Sequence, residues 1–515
     1  MTTRNQMGST AVLTCTVTLD PAFGIAPVDP RLFGSFVEHM GRCVYGGVFE
    51  PGHAEADTDG LRADVLKLVR ELGITVARYP GGNFVSGYRW EDGVGPVADR
   101  PRRLDLAWRS VETNAFGLNE FMTWTQRAAV EPMMAVNLGT RGIQEACDLL
   151  EYANHPGGTY WSDLRRRHGV ADPYGIELWC LGNEMDGPWQ VGHKSADAYG
   201  ALAAETAKAM RQVDPSVKLV ACGSSNDRMP TFGAWEATVL DHTFDHVDYI
   251  SLHAYFEKHG DDRASFLASG LAMDRFIDGV VATADHVAAK KRSRKKLQLS
   301  FDEWNIWYES RFAGYTNLEW AEAPRLIEDE YTVEDAVVVG SLLMSLLRHA
   351  DRVGVACLAQ LVNIIAPIRA ESDRPAWRQT IFHPFALTAR HARGTVLRAE
   401  PRTSTYDTAR HGDVPVADVV ATHDPETGQV TVLALNRSES EPVNLTAQLR
   451  ALPGLRVVEH VVLGGDSAEL LHTNNAEDPD RVQPRTSTDH TLTDGELTAA
   501  LPPVSWTMLR LAPTA

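Results

Sequence analysis

The stretch ELWCLGNEMDGPW (177–189) begins like a buried strand and ends in a cluster of polar residues. Its apolar run Leu178–Leu181 does not alternate with polar residues, which is typical of a parallel strand covered on both faces. Glu184 follows this run at the point where the chain leaves the sheet. The stretch LQLSFDEWNIWY (297–308) is likewise a strand-like run that ends in a carboxylate, Glu303, among aromatic residues. We therefore predict that both carboxylates lie at strand ends on one edge of a parallel sheet.

Apolar runs of this kind recur from about residue 30 to 390 and alternate with helical stretches. In DGLRADVLKLVRELG (59–73), apolar residues recur at helical spacing, and the final Gly suits a helix C-cap. Strands alternating with helices in this way predict an α/β fold with a closed (β/α)8 TIM barrel. A doubly wound open sheet is the structural alternative, although the Gly-rich first turn typical of it is missing. The predicted strands are 32–38, 74–80, 131–139, 176–184, 217–225, 247–255, 296–304 and 352–363.

A second, smaller all-β domain is predicted after the barrel. The stretch DVVATHDPETGQVTVLALNRSES (418–440) contains two short strands around a turn. The remaining sequence continues as short predicted strands separated by turns. Such spacing is typical of a β-sandwich of jelly-roll type. The N-terminal AVLTCTVTLD (11–20) alternates as well and precedes the barrel. We therefore expect 1–28 to supply a strand to the sandwich, 29–394 to form the catalytic barrel and 395–515 to form the sandwich.

Charge and composition exclude several classes of partner. The net charge of −19 argues against binding to nucleic acid or to an anionic membrane. The sequence contains no apolar run of the ~18–20 residues that a bilayer span requires. Its N-terminus lacks the pattern of a secretory signal, so we expect a cytoplasmic location. The six cysteines are scattered without metal-binding spacing, and we predict neither a metal nor a cofactor.

Polar and aromatic side chains follow the predicted strands at the face where such barrels carry their active sites. Placing unpaired polar groups together would only cost free energy in a purely structural protein. We interpret Arg78 as the partner of a carboxylate, whose pKa it lowers, and His253 as an orienting hydrogen-bond partner. The candidate site residues are Glu38, Arg78, Asn83, Asn183, Glu184, His253, Tyr255, Glu303, Trp307 and Gln360.

The two carboxylates Glu184 and Glu303 are the best candidates for catalysis. Acetal hydrolysis needs one acid to protonate the leaving oxygen and one carboxylate at the oxocarbenium-like centre. The alternative, in which each Glu only forms a salt bridge at a loop edge, is weaker for two such residues among Trp and Asn. Metal-dependent, serine and nucleotide-binding hydrolases are disfavoured, because HExxH, GxSxG and Walker A motifs are missing.

Longer motifs point to a known family. They are FGSFVEHMGRCVYGGVFEP (33–51), RYPGGNFVSGYRWEDGVGP (78–96), LWCLGNEMDGPWQVGH (178–193), SLHAYF (251–256), FDEWNIWY (301–308) and CLAQLVNIIAPI (357–368). Together they resemble the α-L-arabinofuranosidases of glycoside hydrolase family fifty-one over nearly the whole chain. The resemblance implies a retaining, exo-acting enzyme that releases terminal L-arabinofuranose from arabinan- or arabinoxylan-derived oligosaccharides by double displacement. It also implies a homo-oligomer, commonly a hexamer.

The resemblance also assigns roles to individual residues. Glu184 matches the general acid/base and Glu303 the nucleophile, and a retaining pair of carboxyls should lie ~5–5.5 Å apart. Ala254 departs from the bulkier polar residue expected in many relatives, which leaves the leaving-group side undefined. The furanose hydroxyls would be held by Glu38, Asn83 and Asn183, in a pocket lined by Tyr255 and Gln360 and walled by Trp307.

Two other functions remain open at this point. A related retaining barrel glycosidase acting on β-xylosides or β-glucans would use the same two carboxylates. It would differ in having an open groove, whereas a furanose-sized dead end indicates exo action. A carbohydrate-binding protein without catalysis is the alternative from another class, and the presence of both Glu184 and Glu303 argues against it.

Overall fold

The computed structural model describes residues 13–314 and 319–514. Its centre is a closed barrel of eight parallel strands, each paired with the next along the chain, and β8 pairs with β1 through Cys357 opposite Gly34. The (β/α)8 prediction is therefore confirmed. The strands are β1 Gly34–Phe36, β2 Val76–Tyr79, β3 Glu131–Val136, β4 Leu178–Leu181, β5 Lys218–Ala221, β6 Tyr249–Phe256, β7 Gln298–Ile306 and β8 Val353–Leu358.

Helices surround the barrel, and their termini follow local signals in the sequence. The first helix ends at Gly73, which has a φ of 78° and so adopts the left-handed conformation that glycine favours. Thr332 and Asp335 cap the helix before β8 reciprocally through their side chains and backbone N–H groups. The helices are Ala63–Leu72, Leu118–Ala128, Ile143–Asn154, Tyr160–Arg167, Ala196–Val213, Ala234–Thr243, Arg263–Leu267, Ser269–Lys290, Val333–Arg348 and Phe382–His391.

The barrel interior is filled by side chains. Along β4, Leu178 and Cys180 belong to an interior apolar cluster, whereas Trp179 and Leu181 belong to the layer beneath the helices. Successive residues of a strand point to opposite faces, so one apolar run serves both layers. A substrate therefore has access only at the ends of the strands. Six of the eight predicted runs continue one to five residues beyond the observed strands, whereas β6 and β7 extend beyond their predicted runs, so that Glu303 lies within β7. Among the described residues, no helix is long and apolar enough to cross a membrane.

Two further sheets face each other across a separate apolar core. The strand Leu13–Thr18 pairs in parallel with Val443–Gln448, so the beginning of the chain packs with its end. The larger sheet, in spatial order, contains Gly24–Pro27, Thr395–Leu397, Ala417–His423, Val430–Asn436, Ser505–Pro513, Leu455–Gly464 and Arg485–Thr486. The smaller sheet contains Arg402–Thr403, Leu13–Thr18, Val443–Gln448, Glu496–Leu501 and His490–Thr493.

Three two-stranded hairpins complete the strand inventory, and two of them bear on the barrel mouth described below. One lies in the connection between β2 and β3, and another projects from the sandwich towards the barrel helices. The hairpins pair Arg103–Asp105 with Ser110–Glu112, Ile368–Glu371 with Arg374–Arg378, and Thr405–Thr408 with Gly412–Pro415.

Candidate active site

Glu184 and Glu303 meet at the C-terminal mouth of the barrel. Glu184 follows β4 directly, and Glu303 lies on β7. Both are buried, and one carboxylate oxygen of each lies within 4.8 Å of the other and of a ring nitrogen of His253. The closed barrel thus brings together two acids that are far apart in the sequence. Such an approach lies below the ~6.5–9.5 Å of inverting enzymes and is compatible with the ~5–5.5 Å of retaining glycosidases.

Glu303 is held by two donors. Arg78 donates to Oε1 at 2.6 Å and Tyr255 donates to Oε2 at 2.8 Å. Burial raises the pKa of Glu303 above its usual range, although His253 and Arg78 act in the opposite direction. Arg78 therefore lowers the pKa of Glu303, as expected, but the opposing effect of burial is larger and the net pKa is raised. The guanidinium has this lowering effect on the neighbouring Asp302, whose pKa is below its usual range.

Glu184 contacts one buried and one half-exposed partner. The indole Nε1 of Trp189, whose side chain is 45% exposed, donates to Oε2 at 2.8 Å. His253 Nδ1 lies 2.9 Å from Oε1, and its Nε2 lies 2.9 Å from Asp302 Oδ1. Burial alone would lower the pKa of His253, but Glu303, Asp302 and Glu184 raise it to about 10. His253 is therefore an imidazolium near neutral pH and donates from both nitrogens.

Asp302 is a site residue that sequence reasoning missed. Simple alternation would point it away from its neighbour Glu303, yet both reach the same cluster. The pairing of β6 and β7 explains this, because Ser251 lies opposite Ser300 but His253 lies opposite Glu303. The extra residue on β7 forms a bulge, which changes the direction of the side chains. The only sequence signal was a pair of adjacent acids inside an apolar strand.

Glu38 forms the opposite side of the mouth. Its Oε1 accepts from the backbone N–H of Phe84 at 3.0 Å and from Trp108 Nε1 at 2.7 Å. Its Oε2 accepts from Gln360 at 3.0 Å. Burial and the nearby charge of Glu303 raise the pKa of Glu38 to about 8. Trp108 was also missed, since it comes from the hairpin after β2, whose sequence has no motif that marks it.

The turn after β2 passes very close to both acids. A Cβ on Gly81 would lie 2.4 Å from Glu38 Cγ, and one on Gly82 would lie 3.1 Å from Glu303 Oε1. Gly81 also has a φ of 150°, which a side chain would disfavour. The two glycines therefore let the chain bring Asn83 to the mouth without displacing either carboxylate.

These groups enclose a cavity of about 330 Å³. Arg78, Asn183 and His253 do not line it but lie behind its wall, where Asn183 accepts from Arg78 at 2.7 Å. The other seven predicted residues do line it. The lining includes Glu38, Asn83, Trp108, Glu184, Trp189, Tyr255, Glu303, Trp307 and Gln360.

Glu184, His253 and Glu303 are also close enough to offer one ligand atom each to a metal ion. Both ring nitrogens of His253 already contact carboxylate oxygens, of Glu184 and of Asp302, at 2.9 Å. A metal ion bound by His253 would have to replace one of these contacts, and the observed arrangement is a hydrogen-bonded cluster.

Comparison with known proteins identifies the family. Residues 68–265 match the family model for the α-L-arabinofuranosidase 1 domain, and residues 302–505 match the model for the α-L-arabinofuranosidase C-terminal domain. The chain is 60% identical over 502 residues to an intracellular exo-α-(1→5)-L-arabinofuranosidase of Streptomyces lividans, covering 97% of this chain and 75% of the relative. It belongs to the α-L-arabinofuranosidases of glycoside hydrolase family 51.

Other relatives of this arabinofuranosidase agree. An intracellular exo-α-(1→5)-L-arabinofuranosidase of Halalkalibacterium halodurans is 53% identical, covering 97% of this chain and 99% of the relative. The family 51 α-L-arabinofuranosidase AbfB of Bifidobacterium longum superposes with a TM-score of 0.93 at 47% identity, covering 97% and 99% of the two chains. The resemblance inferred from the motifs is confirmed, and the xyloside, glucan and non-catalytic alternatives are not favoured.

Proposed function

We propose that this arabinofuranosidase removes terminal L-arabinofuranose from the ends of arabinose-containing oligosaccharides with retention of configuration. Glu303 is the nucleophile and Glu184 is the acid/base. The observation that carries the proposal is the approach of their carboxylate oxygens to within 4.8 Å of each other. This leaves no room for the water molecule that an inverting enzyme holds between substrate and base.

In the first step, Glu303 attacks the anomeric carbon while Glu184 protonates the departing oxygen. Arg78 and Tyr255 fix the two oxygens of Glu303, so that its attack does not require rotation of the side chain. On Glu184, the oxygen that faces Trp189 is the one that carries the proton. His253 is buried and fixed by Asp302 at the other oxygen, whereas this oxygen is oriented by the half-exposed indole of Trp189, which lines the cavity that receives the leaving group.

The charges around the pair support the change of role between the two steps. Two cations, Arg78 and His253, lie against two anions, Asp302 and Glu303. When Glu303 becomes an ester, one negative charge is lost and the cluster carries an excess of positive charge. This excess favours an ionised Glu184, which then accepts a proton from the attacking water.

Substrate binding is assigned to the cavity wall. Glu38, Asn83 and Gln360 offer hydrogen bonds to furanose hydroxyls, and Tyr255 and Trp307 close the side of the pocket. Asn183 contributes from behind through its contacts with Arg78 and with Asn83, at 2.7 and 3.4 Å. A cavity of about 330 Å³ lies at the low end of ligand sites, as expected for a single terminal sugar.

The linkage is not fixed by overall similarity. Relatives named for α-(1→5) and for α-(1→6) cleavage are both 53% identical to this chain. Because several relatives are named intracellular, we propose a cytoplasmic enzyme acting on oligosaccharides. We also propose a homo-oligomer, and a division into 1–28 and 395–515 for the sandwich and 29–394 for the barrel; residues 1–12, 315–318 and 515 lie outside the described residues.

The test of the activity uses three aryl glycosides. We expect rapid hydrolysis of p-nitrophenyl α-L-arabinofuranoside and little hydrolysis of the β-D-xylopyranoside or β-D-glucopyranoside. Glu303→Ala should abolish turnover, whereas the exposed Glu205→Ala should not change it. Preference for a pyranoside would overturn the substrate, and full activity of Glu303→Ala would overturn the nucleophile.

A second experiment separates the roles of the two acids. Replacing Glu184 by Ala should slow hydrolysis of arabinofuranosyl oligosaccharides, whose leaving groups need protonation, far more than that of activated aryl glycosides. Added azide should restore turnover of the aryl glycoside, because it attacks the intermediate without a base. Equal losses on both kinds of substrate would contradict the acid/base assignment.

A further inference from the structure

A second cavity of about 160 Å³ adjoins the arabinofuranose pocket. This volume is several times the ~30 Å³ that one water occupies in the liquid, so the space can hold part of a ligand. The two cavities meet along a shared boundary that contains an aromatic pair and a loose ion pair. The shared lining residues are Asn226, Arg228, Tyr255, Trp307 and Glu309.

The boundary starts beside the proposed acid/base. Asp186 accepts hydrogen bonds from the backbone N–H and the hydroxyl of Ser225, at 3.1 and 3.2 Å, which ties the loop after β5 to the loop after β4. The following residue, Asn226, lines both cavities. The wall beside Glu184 therefore continues into the second cavity, and the leaving group that Glu184 protonates can extend along it.

The contact between Arg228 and Glu309 at the boundary of the two cavities can be broken without disturbing buried residues. Arg228 and Glu309 are joined only by a long contact of 3.9 Å, and their side chains are 65% and 58% exposed. Exposed pairs of this kind contribute little to stability, so a ligand can displace one partner and bind the other. Trp307 and Tyr255 pack edge to face, with ring centroids 5.3 Å apart, and form the fixed part of the boundary.

The lining of the second cavity combines apolar rings with polar side chains, which suits a sugar better than a purely apolar ligand. Phe256, Phe266 and Phe276 supply the rings, and Asp227 and Asp262 are among the acidic groups. The lining also includes Arg410 and His411, which come from the turn of the sandwich hairpin rather than from the barrel.

Backbone groups of these two residues help to hold the hairpin against the barrel helices. The backbone N–H of Arg410 donates to Ser265 Oγ at 3.2 Å, and Arg275 donates to the carbonyl of His411 at 3.2 Å. Among the described residues, the ion-pair partner of the Arg410 guanidinium is Asp262, at the long distance of 3.9 Å. Its hydrogen-bonding groups are thus available to a ligand.

We propose that this second cavity binds the distal part of the leaving group, beyond the sugar adjacent to the scissile bond. The ligand is a pentose oligosaccharide, and the sandwich hairpin contributes Arg410 and His411 to its recognition. The inference rests on the proposed exo-arabinofuranosidase activity and adds a subsite for longer substrates. It assigns to the sandwich domain a direct part in substrate choice.

The test compares α-(1→5)-linked arabinofuranose di-, tri- and tetrasaccharides with the wild-type enzyme and with Arg410→Ala and His411→Ala. In the wild type, kcat/KM should rise from the disaccharide to the trisaccharide. Each variant should lower kcat/KM for the trisaccharide about fivefold per hydrogen bond lost, relative to its value for the disaccharide. Ala272→Phe, which fills the same cavity from a barrel helix, should give the same loss. Asp413→Ala, exposed on the same hairpin, is the matched control.

Each outcome decides the matter. A wild type without preference for the trisaccharide, or variants that affect both substrates equally, would overturn the subsite while leaving the arabinofuranosidase activity in place. A wild type that hydrolyses no arabinofuranoside, including the aryl glycoside, would overturn the activity and the subsite together. Melting temperatures of the variants within the range of the control would exclude unfolding as the cause of any loss.

Discussion

Asp302 controls the charge of the site although it does not line the cavity. It is fully buried beneath the two catalytic acids and contacts His253 Nε2 at 2.9 Å. Ser300 donates to its other oxygen at 3.1 Å. Replacing Asp302 by Asn keeps the shape of the side chain and removes the negative charge. We expect His253 to lose its proton at a lower pH in this variant.

The size of the effect follows from the contact. A hydrogen bond between charged groups contributes ~1.5–3 kcal/mol, which corresponds to about one to two pKa units. The pKa of His253 is raised from 6.5 to about 10. Protonated His253 therefore contributes fully to the free energy of unfolding below pH 6.5, and this contribution is lost as the pH rises through 10. In Asp302→Asn this loss should occur about one to two pH units earlier. Breaking the buried pair should also lower the stability of the fold by roughly 3–5 kcal/mol.

Two measurements check this prediction. The pH profile of kcat/KM on p-nitrophenyl α-L-arabinofuranoside should show its alkaline limb displaced to lower pH in Asp302→Asn. The imidazole NMR signal of His253 should titrate with the same displacement. Ser300→Ala is the matched control, since it removes a neutral hydrogen bond to Asp302 and leaves the charge in place.

Three patterns of results would refute the reasoning. If Asp302→Asn loses activity but His253 titrates as in the wild type, Asp302 has a purely structural role. If neither activity nor titration changes, the buried pair does not set the charge of the site. A displaced limb in both Asp302→Asn and Ser300→Ala would show that the hydrogen-bond network, rather than the charge, is responsible.

Three further predictions address single contacts. Trp189→Phe removes the 2.8 Å hydrogen bond to Glu184, and steady-state kinetics should show about a fivefold lower kcat on oligosaccharides with little change on aryl glycosides. Gly82→Ala would place a methyl group 3.1 Å from Glu303 Oε1, so kcat/KM should fall about tenfold or more at an unchanged melting temperature; full activity would mean that the turn can shift. Burial lowers the pKa of His460 in the sandwich to about 4, so stability should decrease as the pH falls from 6.5 towards 4, and His460→Phe should flatten this dependence in thermal denaturation.

The barrel could be predicted because its signal is local. Each strand is a short apolar run that ends in polar residues, and each run is followed by a helical stretch with its own termination signal. Glu184 and Glu303 could be singled out for the same reason, since each directly follows or ends such a run. The long motifs around them then carried the family resemblance, which the comparisons confirm.

Other features of the site could not be read from the sequence. Asp302 turns inward because β7 has one residue more than its partner β6, and register depends on the pairing of strands. Trp108 reaches Glu38 from an irregular connection, whose path no periodic pattern encodes. Which of the polar residues line the cavity and which lie behind its wall likewise depends on packing.

The sequence by itself determined which strands and helices form and which side chains stand at the strand ends, because periodicity and capping are properties of neighbouring residues. Only the tertiary structure decided how those side chains share charge. Closing the barrel places Glu303 and His253 in one water-poor cluster, where burial raises the pKa of Glu303 and the surrounding carboxylates raise the pKa of His253. It also places the sandwich hairpin with Arg410 beside the pocket. These effects arise between residues distant in sequence, so they exist only once the chain has folded.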